Sequence, residues 1–356
     1  MASTPPATLA DAGAMPADVE ALADQVPGAR AHSPLDMPPS AWWAIIKRVY
    51  VMNGVHNLAL LAAGVAFFAF LAFVPLIAVI VLLYGLIADP GTVANSLDLL
   101  NEVVPSEVLV IVREQLLQIV TTSSTQQGLG LVLALLFSTY GAMRAATAMM
   151  RALNIIYEEH ETRGFFRTTL VAVMITLGMA GIAVVGLVSI SLFSYVRNFL
   201  APYIGALSLM LIQTLTWVVA AMLVSVTFAI FFRYAPDRRA AKWRWLSLGS
   251  MASTVLWLCI TLGFGFYAAN VSDYNATYGS LAAIVIFLMW LFLSAYAVLI
   301  GAEINAETER QTFRDSTVGA DRPLGQRGAV LADSVALDEA EQAILEKQRR
   351  RRTVQP

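Results

Sequence analysis

Residues 246–302 read LSLGSMASTVLWLCITLGFGFYAANVSDYNATYGSLAAIVIFLMWLFLSAYAVLIGA and contain one charged residue, Asp273. A helix that crosses a membrane needs about 20 apolar residues, because the hydrocarbon core of a bilayer is about 30 Å thick. The segments on either side of Asp273 are each long enough to meet this requirement. Asp273 is therefore predicted to lie in a short connection between two membrane-spanning helices.

This connection is predicted to be a tight hairpin on the outer side of the membrane. A carboxylate and an amide belong in water, tyrosines suit the level of the lipid headgroups, and a glycine permits the turn. The residues of the outer hairpin are Asp273, Tyr274, Asn275, Tyr278 and Gly279.

Other segments share this lack of charge. Residues 57–88, 168–196 and 198–232 contain no Asp, Glu, Lys or Arg, and only 13% of the 356 residues are charged, whereas soluble domains have about 25%. The sequence thus predicts an all-α, polytopic membrane protein with six transmembrane helices. The spans are placed at about 58–87, 127–150, 168–196, 204–232, 245–270 and 279–302.

Lysine and arginine are concentrated in alternate connections, which indicates the direction of each crossing, since short cytoplasmic connections are enriched in these residues. One set of connections holds Lys47, Arg48, Arg144, Arg151, Arg163, Arg167, Arg233, Arg238, Arg239, Lys242, Arg244, Arg310 and Arg314. The opposite connections hold only Arg113 and Arg197. Both termini are therefore predicted to be cytoplasmic.

The connection between spans one and two, residues 89–126, differs from the others because it carries a helical stripe of apolar residues. The stripe comprises Leu109, Val112, Leu116, Ile119 and Val120, and Pro105 favours a break before it. We expect two short amphipathic helices on the extracytoplasmic side. They either cap the bundle or lie along the lipid surface.

The membrane domain, residues 42–306, is predicted to be flanked by two polar cytoplasmic tails. Residues 1–41 are rich in Ala and Pro and are expected to be disordered. Residues 307–356 are expected to be partly helical, from about Ser334. They end in a basic cluster that either contacts anionic membrane lipids or is solvated: Arg349, Arg350, Arg351 and Arg352.

Four stretches of this sequence are recognisable. They are LAAGVAFFAFLAFVPLI (61–77), RALNIIYEEHETR (151–163), FRYAPDRRAAKWRWLSLGSMASTVLWLCITLGFGFY (232–267) and SDYNATYGSLAAIVIFLMWLFLSAYAVLIGAEINAE (272–307). On these stretches the chain resembles the YihY/BrkB family of bacterial inner-membrane proteins. The resemblance implies a multi-pass protein of the inner membrane. The family once carried the label of a tRNA-processing ribonuclease, ribonuclease BN, and has been linked to serum resistance and envelope lipid handling.

The residues themselves do not favour a ribonuclease. Metal-dependent hydrolysis of RNA needs clustered His, Asp or Glu ligands. His32, His56 and His160 are isolated in the sequence, and each is expected to be a solvated or interfacial polar residue. Cys259, the single cysteine, lies inside a predicted span. The sequence therefore predicts no enzyme, no catalytic residues, no cofactor, no metal site and no nucleic-acid partner.

Charged and amide side chains at the ends of spans are candidates for a substrate or proton pathway, because burying them is costly without a partner. The candidates at the inner mouth are Arg144, Arg151, Asn154, Glu303 and Asn305. We expect Arg144 or Arg151 to pair with Glu303, either as a structural staple or as part of a pathway. Pro75 is predicted to kink span one and is a candidate hinge.

Three functions are compatible with these features. The first is a transporter or flippase for a membrane amphiphile such as a lipid or lysolipid. The second is a non-transporting envelope or scaffold protein, which would have a solid bundle without a polar cavity. The third, less favoured, is the ribonuclease of the older label.

Overall fold

A computed structural model describes residues 26–85, 124–200, 202–203, 205–270 and 281–336. The described residues form helices and irregular connections without a strand, apart from an isolated bridge between Ala241 and Thr317. In chain order the helices are α1 (Pro39–Val55), α2 (Leu58–Gly85), α3 (Ser124–Ile156), α4 (Phe165–Leu200), α5 (Ala206–Tyr234), α6 (Trp243–Asn270), α7 (Leu281–Arg310) and α8 (Val330–Asp333).

Each predicted span overlaps one of the helices α2 to α7. In the described part of the chain, three helical segments are long and apolar enough to cross a membrane: Leu207–Tyr234, Trp243–Tyr267 and Ile284–Arg310. Pro39–Val55 and Leu58–Phe73 add a fourth if this pair, bent by 63°, forms one broken span. The structure thus confirms an all-helical architecture with several apolar helices for the part of the chain that it describes.

The six long helices are arranged as a closed ring. Each of α2 to α7 contacts the next in the chain, and α7 returns to contact α2. The contact of α2 with α3 is close at Gly141, where an added Cβ atom would lie 2.7 Å from Cα of Ala72. Small residues allow such an approach between helices.

The ion pairs and both ends of the described chain lie at one end of this ring. This end comprises α1, the connections 157–164 and 235–242, the C-terminal part of α7, and residues 311–336; we call it the polar end, and the opposite end the far end. Thr162 donates two hydrogen bonds to Asp237, which joins the two connections. The largest apolar core also lies towards this end, with Met150, Leu153 and Leu299 among its fully buried members.

The close contact between α6 and α7 depends on two glycines. A Cβ atom at Gly249 would overlap the carbonyl oxygen of Gly301, and one at Gly301 would overlap the hydroxyl of Ser253. Asn305 fixes this contact, because its Oδ1 accepts a hydrogen bond from the Gly249 amide at 2.8 Å. Its Nδ2 donates to the carbonyl of Leu246.

One face of α5 changes from buried to exposed along its length. Residues seven apart lie on nearly the same side of a helix. At the polar end Phe232 is buried, and two turns earlier Ser225 Oγ donates to Ser250 Oγ of α6 at 3.3 Å. Two turns further, Val218 is 43% exposed, and beyond it Leu211 is 63% exposed. We call this the α5 opening face, and its exposure shows that this side of α5 loses its cover towards the far end.

By contrast, α2, α6 and α7 stay packed in the half of the bundle nearer the far end. The ring centroids of Phe73 and Phe287 are 4.3 Å apart, and Trp290 Nε1 donates to Thr261 Oγ1 at 3.3 Å. The bundle therefore has a packed body that contains α2, α6 and α7, whereas the α5 opening face is uncovered away from the polar end.

Helix α1 lies on the packed body with an apolar side left uncovered. Ala41 and Ile45 are buried against a small cluster that includes Trp245. The opposite side exposes four apolar or aromatic side chains, Trp43, Ile46, Tyr50 and Val51. Lys47 Nζ lies 5.3 Å from the ring centroid of Trp43.

Two expectations about the tails need correction. Residues 26–41 were expected to be disordered, but Phe313 N donates to the carbonyl of Ala29, and Thr312 Oγ1 donates to those of Ala29 and Ala31. These hydrogen bonds and the buried apolar residues stabilise the segment. The tail expected after residue 306 also begins later, because α7 continues to Arg310 and residues 311–336 pack back on the polar end.

Several expectations concern residues outside the described ranges. They are the extracytoplasmic helices between spans one and two, the outer hairpin at 271–280, the tail helix after Ala336, and the basic cluster at 349–352. The candidate hinge at Pro75 lies in α2, which runs unbroken from Leu58 to Gly85. That hinge stays a prediction.

Replacing Gly249 with alanine should destabilise the protein by about 1–3 kcal/mol, because the new methyl group overlaps the backbone of α7. Gly263→Ala is the matched control on the same helix, since no atom lies within 4 Å of a Cβ at that position. The control should be neutral or stabilising by up to about 1 kcal/mol. Thermal unfolding of the detergent-purified variants measures both effects, and equal behaviour of the two would contradict the close contact.

Candidate functional site

Three glutamates near the end of α7 are the chemically notable feature of the polar end. Glu303, Glu307 and Glu309 are all buried. A buried carboxylate is costly unless it is paired and hydrogen-bonded. Each of the three meets a basic side chain that comes from a part of the chain far away in sequence.

Glu307 pairs with Arg48 of α1. Nε of Arg48 lies 2.5 Å from Oε2 of Glu307, and Nη2 of Arg48 donates to Gln311 Oε1 at 2.5 Å. This pair attaches α1 to the end of α7.

Glu309 pairs with Arg238 in the connection between α5 and α6. The two Nη atoms of Arg238 donate to the two carboxylate oxygens at 2.8 and 2.5 Å, and each side chain is only 2% exposed. The guanidinium lies 4.9 Å from the ring centroid of Tyr157, and Ser316 donates a further hydrogen bond to Glu309. Burial acts to lower the pKa of Arg238, but the nearby carboxylate outweighs it and holds that pKa above its usual range.

Glu303 pairs with His56, at the junction of α1 and α2. His56 Nδ1 lies 3.0 Å from Glu303 Oε2, with the two side chains 10% and 0% exposed. At this junction the chain bends by 63°, and Asn57 adopts a left-handed conformation with φ of 53°. The second oxygen, Oε1, is buried without a hydrogen-bond partner among the described residues.

The connections of the polar end are joined by a second, less buried cluster. Asn154 Nδ2 donates to Glu161 at 2.9 Å, while its Oδ1 accepts from the Asp237 amide at 2.8 Å. Arg163 Nε donates to Glu161 at 2.6 Å, and this hydrogen bond lowers the pKa of the Glu161 carboxyl. Burial acts to raise the pKa of Asp237, but hydrogen bonds from Thr162 leave it lower than usual.

The structure therefore gives different outcomes for the candidate residues named from sequence. Asn154, Glu303 and Asn305 all lie at the polar end, where both amides hold connections or helices together. Arg144 and Arg151 are exposed on α3, and neither forms an ion pair with Glu303. Arg144 Nε instead donates to Tyr140 of its own helix at 3.0 Å. The expected pair is replaced by His56 because the arginines lie on the exposed side of α3.

Sequence reasoning missed the basic partners of α7. Arg48 and Arg238 served only as indicators of orientation, and His56 was expected to be solvated or interfacial. The separation in sequence from the α7 partner is 259 residues for Arg48, 71 for Arg238 and 247 for His56. A usable signal was present, because three acidic residues occur within the seven positions 303–309, directly after an apolar span. Carboxylates at such a place require compensating cations.

A metal centre is not formed by these residues. In the ranges that the structure describes, no group of three or more His, Cys, Asp or Glu side chains is placed to hold a metal ion. Cys259 is exposed on α6. The arrangement holds helices and connections in position through buried ion pairs.

Comparison with known proteins gives one family. Residues 53–323 match the family described as Virulence factor BrkB. The ribonuclease-like protein YfkH of Bacillus subtilis is 23% identical over 265 residues, which cover 74% of this chain and 94% of YfkH. No solved structure matches the chain.

Two further relatives are called UPF0761 membrane proteins. The one from Alkalilimnicola ehrlichii is 30% identical over 253 residues, 68% of this chain and 53% of the relative. RSc1559 of Ralstonia nicotianae is 32% identical over 155 residues, 44% of this chain and 34% of the relative. The chain spans about half or less of these UPF0761 relatives.

Removing one member of the Arg238–Glu309 pair should be strongly destabilising. Arg238→Met leaves the Glu309 carboxylate buried without its cation, which costs about 3–5 kcal/mol. Asp321→Asn is the matched control, since Asp321 pairs with Lys242 while 72% exposed, and such a surface pair contributes less than about 1 kcal/mol. Comparable unfolding temperatures for the two purified variants would show that the buried pair does not hold the polar end together.

Proposed function

The chain belongs to the BrkB family of membrane proteins, and we propose that it moves a membrane amphiphile, a lipid or lysolipid, between the leaflets of the bacterial inner membrane. The observation that carries this proposal is the α5 opening face. It is packed at Phe232 and exposed at Val218 and Leu211, so the ring is closed at the polar end and opens sideways towards the far end.

In this proposal α2 to α7 are six membrane spans, and the polar end faces the cytoplasm. The arginines and lysines in the connections of the polar end support this orientation, since cytoplasmic connections attract them. Among the described residues at the far end, Arg197 is the one charged side chain. Both termini are then cytoplasmic.

An opening between α5 and α6 suits an amphiphile for a physical reason. Its walls carry apolar side chains such as Val218 and Leu211, which match acyl chains, and it meets the lipid without a barrier of charge. A helix in a solid bundle buries one side along its whole length. In α5, however, no described side chain between Leu207 and Phe228 is buried.

Contact with membrane lipids extends to α1 in this proposal. Its exposed side combines Trp43 and Tyr50 with Lys47, the residue types that anchor an amphipathic helix at the surface of a membrane. Because α1 meets α2 at a 63° bend, it can lie along the cytoplasmic leaflet while α2 crosses. The four arginines at 349–352 are proposed to contact anionic lipids of the same leaflet.

A non-transporting scaffold is the second candidate. The ion pairs at the polar end favour it, because they hold α1, both connections and α7 as one rigid unit. The two functions differ in what they require of the α5 opening face. A scaffold does not need an uncovered α5 opening face. A transporter that uses this face loses activity when a larger side chain fills it.

The test is transfer of labelled lysolipid and phospholipid between the leaflets of liposomes that contain the purified protein. We expect faster transfer than in empty liposomes, and a severalfold loss in Leu211→Trp, which fills the opening. Leu177→Trp is the matched control, because Leu177 is also 63% exposed but belongs to a side of α4 whose described members, such as Leu170 and Leu192, are exposed as well.

Orientation is read in the same liposomes from protease cleavage of a C-terminal tag, which is removed only where the polar end faces outwards. Correctly inserted protein that gives no acceleration would contradict transport and favour the scaffold. Equal rates for the two tryptophan variants would show that amphiphiles do not pass the α5 opening face. Cleavage of RNA by the purified protein would support the third function, that of a ribonuclease.

A further inference from the structure

We propose that His56 and Glu303 form a proton-binding site, and that exchange of this proton changes the bend between α1 and α2. The role of this proton as the coupling ion of transport rests on the proposed function. The proton site itself does not. It stands on the geometry of the pair and on its contrast with the two neighbouring pairs of α7.

The three buried glutamates of α7 differ in the chemistry of their partners. Glu307 and Glu309 face arginines, which keep their charge throughout the physiological pH range. Glu303 faces a histidine, the side chain that ordinarily gains and loses a proton near neutral pH. A proton can therefore leave the Glu303 pair, while the two arginine pairs remain charged.

The unpartnered oxygen of Glu303 provides a second place for the proton. When His56 is protonated, its Nδ1–H donates to Oε2 and the pair carries a positive and a negative charge. When His56 is neutral, its proton has either moved to the Glu303 carboxyl, which removes both charges, or left for water, which leaves the buried carboxylate without its cation. Oε1 is buried and free of other hydrogen bonds among the described residues, so it can accept the proton.

The other charged groups around the pair are already compensated. Glu307 lies one turn further along α7 and is held by Arg48. Glu158, from the connection after α3, meets Arg310 at 3.3 Å, and the same arginine lies 3.7 Å from Glu307. The cation that remains for Glu303 is His56 itself.

The position of His56 links the proton to a conformational change. It follows the last residue of α1, and Asn57 then turns the chain into α2. Tyr296 Oη donates to Asn53 Oδ1 at 2.8 Å, two turns before Glu303 on the same side of α7. These two contacts attach the junction to α7, so loss of the ionic contact releases one of the two attachments. His56 is 10% exposed at the polar end, which gives the proton a route to water.

The direct test is pH-difference infrared spectroscopy of the protein in lipid nanodiscs, where protonated carboxyl groups absorb separately from carboxylates. We expect a carboxyl band that titrates in the wild type and is lost in Glu303→Gln, which keeps the shape and the hydrogen bond to His56. In His56→Gln the carboxyl band should titrate at a shifted pH or be absent. Glu307→Gln is the matched control and should retain it. A band that persists in Glu303→Gln would overturn the proposal.

The transport measurement separates this inference from the proposed function. The wild-type rate of amphiphile transfer should vary with pH by up to about tenfold per pH unit, the limit for one proton, and Glu303→Gln should remove that dependence. A titrating band without transfer would support the proton site and contradict transport. Transfer with the same rate at every pH would support transport and contradict the proton site as its coupling element.

Discussion

A buried carboxylate needs a cation, and this requirement organises the polar end of the protein. Glu303, Glu307 and Glu309 lie within two turns of α7 and are buried. Their partners come from the α1–α2 junction, from α1 and from the connection between α5 and α6. Because each partner is distant in sequence, satisfying three carboxylates brings the ends of α1, α2, α5, α6 and α7 together.

The helices pack differently at the charged polar end and in their almost uncharged remainder. Where ion pairs and the glycine contact of Gly249 with Gly301 hold the helices, the interior is closed. Towards the far end, aromatic contacts such as Phe73 with Phe287 keep part of the ring together, but the side of α5 that carries Leu211 loses its cover. In lipid such an uncovered apolar side is stable, because the acyl chains replace the missing helix.

The sequence was sufficient to predict the six long helices α2 to α7, since apolar stretches separated by charged residues mark them, but it did not predict α1. It was not sufficient for the partner of Glu303, which was expected to be Arg144 or Arg151. Both arginines lie near the end of α3. Packing with distant segments determines which side of this nearly uniform apolar helix faces inwards, and local sequence does not reveal that packing. The order of residues 26–41 depends on hydrogen bonds to residues 311–313 in the same way. The opening face of α5 has no local signature either, because apolar residues occupy both its covered and its uncovered half.

The central claim is that the α5 opening face is covered at the polar end and uncovered towards the far end. The most direct measurement is electron paramagnetic resonance of nitroxide labels at positions 211, 218 and 229 of the cysteine-free protein in bilayers. The account expects labels at 211 and 218 to be mobile and accessible to oxygen, and the label at the buried position 229 to be immobile and inaccessible. Labels at 211 and 218 as immobile and inaccessible as the one at 229 would show a solid bundle, and the account would be wrong.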